Sequence, residues 1–230
     1  MNPIIISCSS VDWDEMAAEV IAESIESFIA LNGMCTVMLT GGNTAERLYK
    51  SWKRSNRIKF EKIHFLFGDE RCVPPDHDHS NYAMVIRTLF NGTLPPVVRI
   101  DRIESERDDL EAASLDYESL LPENVDILLL GMGEDGHIAS IFPNSSIFNQ
   151  IGRRVSPVKG PKFPFNRISI TPATVRNAKK IFLLATGASK GKVLSTIQNN
   201  INNYMKLPVC LTWRGTWLLD TDAREYLKNL

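Results

Sequence analysis

The sequence predicts an α/β fold: a doubly wound, mostly parallel sheet with helices on both faces, in one Rossmann-like domain of residues 1–230. Short, continuously apolar segments alternate with segments whose apolar residues recur at helical spacing. Such apolar segments are typical of strands that are covered on both faces of a parallel sheet. The length of 230 residues suits one large domain, and a hydrophobic fraction of 43% suffices for a sizeable core.

The apolar segments of this alternation are the predicted strands. They are residues 3–7, 34–39, 62–67, 125–130, 167–171 and 180–186, and residues 207–213 are a candidate for one more. We expect the first of them to be a buried strand. Because crossovers between parallel strands are right-handed, the turns that follow the strands gather along one edge of the sheet. Ligands of such sheets bind at that edge.

Helical periodicity follows most of these strands. Ser9 or Ser10 is predicted to cap the first helix, and Asn32-Gly33 is predicted to end it. Its apolar face is Trp13, Ala17, Val20, Ile21, Ile25 and Phe28. Further helices are predicted after residue 44 to about residue 55, from Ser80, over about 104–121 and over about 189–199. Residues 69–79 and 157–164 are rich in polar residues or proline and are predicted to be loops.

Composition excludes several classes of partner. A formal net charge of −1 gives no electrostatic case for binding nucleic acid or an anionic membrane surface. The four cysteines, Cys8, Cys35, Cys72 and Cys210, are widely spaced and are predicted to be reduced thiols of a cytoplasmic protein. The amino terminus lacks the features of a signal peptide, and no segment approaches the roughly 20 apolar residues that span a bilayer. We expect a monomer or a weak homodimer.

A glycine-rich turn follows the second strand, in Thr40-Gly41-Gly42-Asn43-Thr44. Glycines let the backbone approach a ligand, and the helix that begins here favours an anion through its free N–H groups and its dipole. Thr44 is predicted to cap this helix and to donate a hydrogen bond to a phosphate. An ordinary strand-to-helix turn explains the same residues equally well. The turn is not a Walker A loop, since no Gly-Lys-Ser/Thr follows it.

A charged cluster, Asp69-Glu70-Arg71, follows the third strand, and Ser80-Asn81 follows shortly after it. Charges in this place are costly to bury unless they are paired or bind a ligand. Arg71 suits a carboxylate or a phosphate, and Asp69 could orient a donor. A solvated loop is the alternative. His77 and His79 invite a metal site, but alternating exposed residues of a loop give poor ligand geometry, so we expect no metal.

The third cluster, residues 131–137 (GMGEDGH), follows the most apolar strand. It contains Gly-x-Gly-x-x-Gly, the pattern of dinucleotide sites. That interpretation fails because Phe142-Pro143 interrupts the following helix and no acid stands near the end of the next apolar segment. What remains is His137 on a glycine turn beside Asp135. A histidine titrates near neutral pH and suits proton transfer, so we favour a catalytic role over a structural one.

The fourth cluster combines Arg167, at the start of its strand, with Lys190 in the turn Gly187-Ala188-Ser189-Lys190. A cation in the first turn of a helix opposes the helix dipole, and a bound anion would offset that cost. A solvated lysine is the alternative. Covalent catalysis has little support, because there is no Gly-x-Ser-x-Gly elbow and no cysteine is paired with a nearby histidine.

Taken together, the four clusters resemble the 6-phosphogluconolactonase family. The matching segments are LTGGNTAERLY, FLFGDERCVPPDHDHSNY, DILLLGMGEDGHIASIFPNS and RISITPATVRNAKKIFLLATGASKGKVL, in the family's order and over most of the chain. The resemblance implies hydrolysis of 6-phospho-D-glucono-1,5-lactone to 6-phospho-D-gluconate in the pentose phosphate pathway. It implies a small phosphorylated sugar lactone as the partner and no metal or organic cofactor.

The resemblance also implies roles for single residues. His137 is the base that activates water and then the acid that protonates the leaving ring oxygen, and Asp135 orients His137 or contacts a sugar hydroxyl. The implied substrate and phosphate ligands are Gly41, Gly42, Asn43, Thr44, Asp69, Arg71, Asn81, Arg167 and Lys190.

Two alternatives stay open. Glucosamine-6-phosphate deaminases and isomerases share the glycine turn and the Asp-Gly-His element. They typically carry Asp-Glu-Tyr where this chain has Asp-Glu-Arg, and an Asn-Glu-Pro run where it has Ala139-Ser140-Ile141-Phe142-Pro143. The second alternative is a sugar-phosphate sensor without catalysis. Such a sensor would need a DNA-binding module, and we expect none beside a strand that begins almost at Met1.

Overall fold

The computed structural model of the chain describes residues 2–199 and 206–228. Its central sheet has seven strands in the order β1-β10-β9-β6-β2-β3-β5, and every neighbouring pair is parallel. All residues of β3 and of β10 are buried, so both faces of the sheet are covered. The predicted class is therefore confirmed. The strands are β1 Ile4–Cys8, β2 Cys35–Leu39, β3 Ile63–Phe67, β4 Asp69–Arg71, β5 Arg99–Ile100, β6 Ile127–Gly131, β7 Val155–Lys159, β8 Asn166–Ile170, β9 Lys180–Ala185 and β10 Thr216–Asp220.

The helices fill the connections between strands. They are α1 Trp13–Asn32, α2 Asn43–Ser55, α3 Asn81–Phe90, α4 Leu110–Leu120, α5 Pro172–Asn177, α6 Ala188–Asn199 and α7 Thr221–Arg224, with 3-10 helices at Phe60–Lys62, Ser146–Asn149 and Pro208–Thr212. Gly33 ends α1 with φ 77°, as predicted. The predicted cap of α1 is wrong. Asp12 precedes the helix without a side-chain cap, while the Ser9 hydroxyl donates to Asp12 and the Ser10 hydroxyl donates to Asp220.

A second sheet of three antiparallel strands, in the order β4-β8-β7, corrects the prediction for three segments. Residues 69–71 and 157–159 are strands and not loops, and residues 166–170 do not join the parallel sheet. The ladder pairs Asp69 with Ser169 and Arg71 with Arg167. The physical reason is tertiary pairing: the charged segment 69–71 finds its partner in β8, far away in the sequence, and the proline-containing β7 pairs with the other side of β8.

Three further features differ from the prediction: the burial of the first strand, the type of the 207–213 segment and the start of α4. The first strand is not buried: β1 lies at the edge of the sheet, and Ile4 is 64% exposed. Residues 207–213 give a 3-10 helix, and the last strand follows it at β10. The helix predicted from residue 104 begins at Leu110, because the Asp109 side chain accepts a hydrogen bond from the Ala112 N–H and caps the helix there.

The core lies between the central sheet and its helices, and its largest side chains are indoles. Trp13, Trp52 and Trp217 are at most 1% exposed, and each indole N–H has a hydrogen-bond acceptor. This packing fixes the carboxyl ends of β2, β6 and β9, which are neighbouring strands, along one edge. All four cysteines are free thiols, as predicted. Among the described helices, none combines the length and apolarity needed to cross a membrane.

Candidate active site

A cavity of about 420 Å³ opens at this edge of the sheet. The four polar clusters that the sequence singles out meet in it. Of the predicted site residues, only Asp135 and Asn81 do not line its wall. The lining residues are Thr40, Gly41, Gly42, Asn43, Thr44, Asp69, Arg71, Gly131, Met132, His137, Ala139, Arg167, Leu184, Thr186 and Lys190.

His137 and Asp135 form a hydrogen-bonded pair in the turn that follows the carboxyl end of β6. The distance from His137 Nδ1 to Asp135 Oδ1 is 2.6 Å, and the His137 backbone N–H donates to the same oxygen at 3.2 Å. Burial opposes ionisation of Asp135, but the adjacent His137 and its hydrogen bonds outweigh burial and lower the pKa of this carboxyl. A carboxylate acceptor assigns the imidazole proton to Nδ1, which leaves Nε2 as an acceptor.

Glycines give the turn that carries this pair its shape. The Gly133 N–H donates to the His137 carbonyl at 2.9 Å, and a Cβ on Gly133 would overlap the imidazole. Gly136 has φ 81°, and its carbonyl accepts from Val209 N at 2.9 Å. That last bond comes from the 3-10 helix that replaces the predicted strand over 207–213. The segment therefore supports the turn from outside the sheet.

Two arginines from the antiparallel sheet face the cavity side by side. Arg71 and Arg167 are opposed in the β4–β8 ladder. Arg71 donates from Nη1 to the His79 carbonyl at 2.6 Å, and its buried Nε has no hydrogen-bond partner. Burial lowers the pKa of Arg167, although a guanidinium keeps its charge. Within residues 2–199 and 206–228, neither arginine is in an ion pair. Such a pair of cations suits an anion.

The other side of the cavity is formed by the first turns of α2 and α6. Thr44 does not cap α2, which corrects the prediction: Gly42 holds the cap position with φ 95°, without a side-chain hydrogen bond. The first-turn N–H groups of α2 consequently lack a side-chain cap and can bind an anion. Thr44 Oγ1 lies 3.2 Å from Thr186 Oγ1. Lys190, in the first turn of α6, has its Nζ 3.8 Å from Glu134 Oε1.

Asn81 lies one layer behind the cavity wall. It is 2% exposed, and its Nδ2 donates to the Asp69 carbonyl at 2.9 Å and to Asp69 Oδ1 at 3.3 Å. A Cβ on Gly41 would overlap the Asn81 carboxamide, so Asn81 braces both the glycine turn and Asp69. This placement corrects the expectation of direct substrate contact, because the side chain is already enclosed by its two neighbours.

Sequence reasoning missed some of the wall. Met132 and Ala139 lie inside the motif around His137, and Leu184 and Thr186 lie at the end of β9. Position was the available signal for Met132, Leu184 and Thr186, since each stands at or close to the carboxyl end of a predicted strand. Ala139 lies further along the chain and gave no such signal. The His77 and His79 rings stack at 5.3 Å. In the described part of the chain, no three His, Cys, Asp or Glu side chains are grouped to hold a metal ion.

Comparison with known proteins agrees with this architecture. Residues 10–218 match the family described as "Glucosamine-6-phosphate isomerases/6-phosphogluconolactonase". A 6-phosphogluconolactonase of Aggregatibacter actinomycetemcomitans is 32% identical over 222 residues, covering 92% of this chain and 95% of the relative. One of Haemophilus influenzae is 35% identical over 189 residues, covering 79% and 81%.

Among solved structures, the 6-phosphogluconolactonase of Leishmania guyanensis superimposes with a TM-score of 0.84 at 26% identity, and the match covers 100% of both chains. The fold, the cavity and these matches lead to one conclusion. The chain belongs to the glucosamine-6-phosphate isomerase/6-phosphogluconolactonase family.

Proposed function

We propose that this chain hydrolyses 6-phospho-D-glucono-1,5-lactone to 6-phospho-D-gluconate, a step of the pentose phosphate pathway. The observation that carries the proposal is the meeting of the His137–Asp135 pair and three cations, Arg71, Arg167 and Lys190, at one cavity. The relatives above bear the name of this activity. We also propose that the chain is a cytoplasmic monomer or weak homodimer that acts on a small metabolite. The net charge of −1 gives no electrostatic case for a nucleic-acid or membrane partner.

In the proposed mechanism, His137 Nε2 takes a proton from water as the water oxygen attacks the lactone carbonyl carbon. The imidazolium then gives this proton to the ring oxygen as the bond between C1 and that oxygen breaks. Asp135 holds the Nδ1 proton throughout and stabilises the imidazolium, from a distance of 2.6 Å. One positioned general base of this kind contributes about 10²- to 10⁴-fold.

Binding of the phosphate orients the substrate. We assign the 6-phosphate to Arg71, Arg167, Lys190 and the first-turn N–H groups of α2. A phosphate dianion would offset the electrostatic repulsion among these positive groups. Holding the phosphate converts the attack of water into an oriented reaction within one complex. Asp69, with both carboxylate oxygens already accepting hydrogen bonds, and Asn81 behind it are assigned to positioning the site.

The deaminase alternative has less support. Among the described residues that line the cavity, Asp69 is the one acid. Its Oδ1 accepts from Asn81 and its Oδ2 accepts from Ser140, so it is not placed to assist opening of a sugar ring. The turn after His137 supplies Ala139 and Ser140 and no glutamate.

A coupled assay tests the proposal. Glucose-6-phosphate dehydrogenase generates fresh lactone, and its decay is followed with and without the purified chain. We expect catalysed decay, and His137→Ala should lower it by about 10²- to 10⁴-fold with an unchanged fold. His77→Ala is the matched control, since His77 lies outside the cavity wall. Decay at the spontaneous rate would overturn the proposal, and ammonia release from glucosamine 6-phosphate would establish the deaminase instead.

A further inference from the structure

The turn directly after His137 has a backbone that its own sequence disfavours. Ile138 and Ile141 are fully buried, and the Ile141 N–H donates to the Ile138 carbonyl at 2.9 Å. Ala139, between them, has φ 46°, in the left-handed region that residues with a Cβ rarely adopt. A conformation of this kind persists only where the surroundings hold it, and it is characteristic of functional sites.

Ser140 is the residue that holds this turn. It is fully buried, its N–H donates to Ser169 Oγ at 3.1 Å, and its hydroxyl donates to Asp69 Oδ2 at 2.6 Å. Asp69 and Ser169 are directly opposed in the β4–β8 ladder. One serine therefore ties the turn to both strands of the antiparallel sheet at a single rung of that ladder.

The same face of that ladder carries the two arginines. Arg71 and Arg167 are opposed two residues further along, and side chains two apart on a strand point to the same face. Phe142 adds a second contact: its ring centroid lies 4.8 Å from that of His137, and the Arg167 guanidinium carbon lies 5.5 Å from it. The turn that follows His137 therefore sets the distance from the imidazole to the guanidinium groups of Arg71 and Arg167.

We propose that Ser140 is a positioning residue that keeps the His137 turn in register with the arginine-bearing strands. The inference rests on the proposed function. If the arginines hold the phosphate, the lactone carbonyl lies at a fixed distance from them, and His137 Nε2 must be held to match. A misplacement of about 1 Å costs on the order of 10²-fold in rate. The hydroxyl of Ser140 is the direct side-chain link between the turn and Asp69.

Substitution of Ser140 by alanine is the test. Ser140→Ala removes the bond to Asp69 at 2.6 Å and the weaker bond from Arg167 Nη1 at 3.4 Å, without adding volume. We expect kcat to fall roughly 10- to 100-fold while KM changes less than about threefold. Arg71 keeps its bond to the His79 carbonyl, and Arg167 keeps its Nε bond to the Pro164 carbonyl at 3.2 Å. Ser114→Ala is the matched control: Ser114 is also fully buried, and its hydroxyl donates to the Glu111 carbonyl in α4, outside the cavity. Its kcat per folded molecule should stay at the wild-type value.

A second variant and a second measurement separate positioning from loss of folding. Ser169→Ala removes the other bond to the turn, and the double variant should lose less than the product of the single losses, because both hold the same turn. If Ser140→Ala does not fold, Ser169→Ala carries the test alone.

The NMR resonances of the His137 imidazole, assigned by their loss in His137→Ala, report its position without any turnover. They should shift in Ser140→Ala and not in Ser114→Ala. An inactive wild type would overturn the proposed function and leave this readout of positioning intact. Unchanged His137 resonances, or a wild-type kcat in folded Ser140→Ala, would overturn the role of Ser140.

Discussion

At the scale of single residues, the His137–Asp135 pair occupies the space in which a side chain on Gly133 would lie. A Cβ added to Gly133 would overlap His137 Nδ1 and would lie 2.5 Å from Asp135 Oδ1. Van der Waals repulsion at such distances must displace one of the two side chains. The glycine is therefore needed for the close approach of the pair and not for a special φ.

We expect Gly133→Ala to separate the pair and to lower kcat on the order of 10²-fold, with a smaller change in KM, as loss of a positioned base does. Steady-state kinetics on fresh lactone measure both. Gly68→Ala is the control, because a Cβ there meets its nearest atom, the Leu39 carbonyl oxygen, at 3.5 Å, an ordinary contact. Equal losses in the two variants would contradict the assignment.

Single residues also show what a sequence can reveal about a site. Arg71, His137 and Lys190 could be predicted because polar residues after apolar strands must gather at one edge of a parallel sheet. The place of Asn81 could not, since it depends on how closely α3 packs against Gly41. The role of Ala139 could not either, because a methyl side chain gives no sign of a φ of 46°.

At the scale of elements, Glu70 fixes the start of α3. It is 3% exposed, and it accepts hydrogen bonds from the backbone N–H groups of Arg71, Asn81 and Tyr82 and from the Ser80 hydroxyl. Burial raises the pKa of this carboxyl against the opposing effect of those N–H groups. The Ser80 hydroxyl in turn accepts from the Ala83 N–H. Glu70 and Ser80 together satisfy the free N–H groups of the helix.

Glu70→Gln should lower the free energy of unfolding by about 1–3 kcal/mol, because the amide nitrogen cannot accept the backbone N–H groups and leaves them unsatisfied. Urea denaturation measures the change. Glu61→Gln, on the exposed surface, should stay within about 0.5 kcal/mol of the wild type. A Glu70→Gln variant as stable as the wild type would show that water replaces these bonds.

Elements also mark where local sequence patterns stop being informative. The central strands could be predicted, because continuous apolar runs need burial on both faces. The antiparallel sheet could not: β4 is the charged segment Asp69–Arg71, and β7 contains Pro157. β4 pairs with β8 nearly a hundred positions further along the chain, and β7 becomes a strand only by pairing with β8. The 3-10 helix at Pro208–Thr212 has a strand-like composition and is set by its contact with the His137 turn.

At the scale of the whole molecule, stability and activity depend on histidines at opposite ends of the sheet. His64 stands near the start of β3, away from the cavity, with its Nε2 2.6 Å from Asp101 Oδ2. Burial lowers the pKa of His64 below 6.5, against the opposing effect of Asp101, while Arg99 acts with burial. The unfolded chain therefore binds this proton more tightly than the folded chain does.

Stability from His64 should be fully present above about pH 6.5 and should be lost as the pH falls from there toward the lower folded-state pKa. Thermal unfolding between pH 7.5 and pH 5 measures this slope. His64→Gln should flatten it. A steeper slope in His64→Gln would reverse the sign and contradict the buried, neutral imidazole.

The cavity also links ligand chemistry to the stability of the whole chain. A ligand that binds only the folded state, at 100 times its Kd, adds about 2.7 kcal/mol to the free energy of unfolding. This raises Tm by roughly 5–10 °C in a protein of this size.

Because Arg71, Arg167 and Lys190 converge on one cavity, the phosphate should supply most of the affinity for the product. We expect 6-phosphogluconate to raise Tm in this range, and gluconate at the same concentration to have little effect. The shift should shrink as salt rises, since ions screen charge–charge attraction. Equal shifts by the two compounds would mean that the arginines and Lys190 do not bind the phosphate.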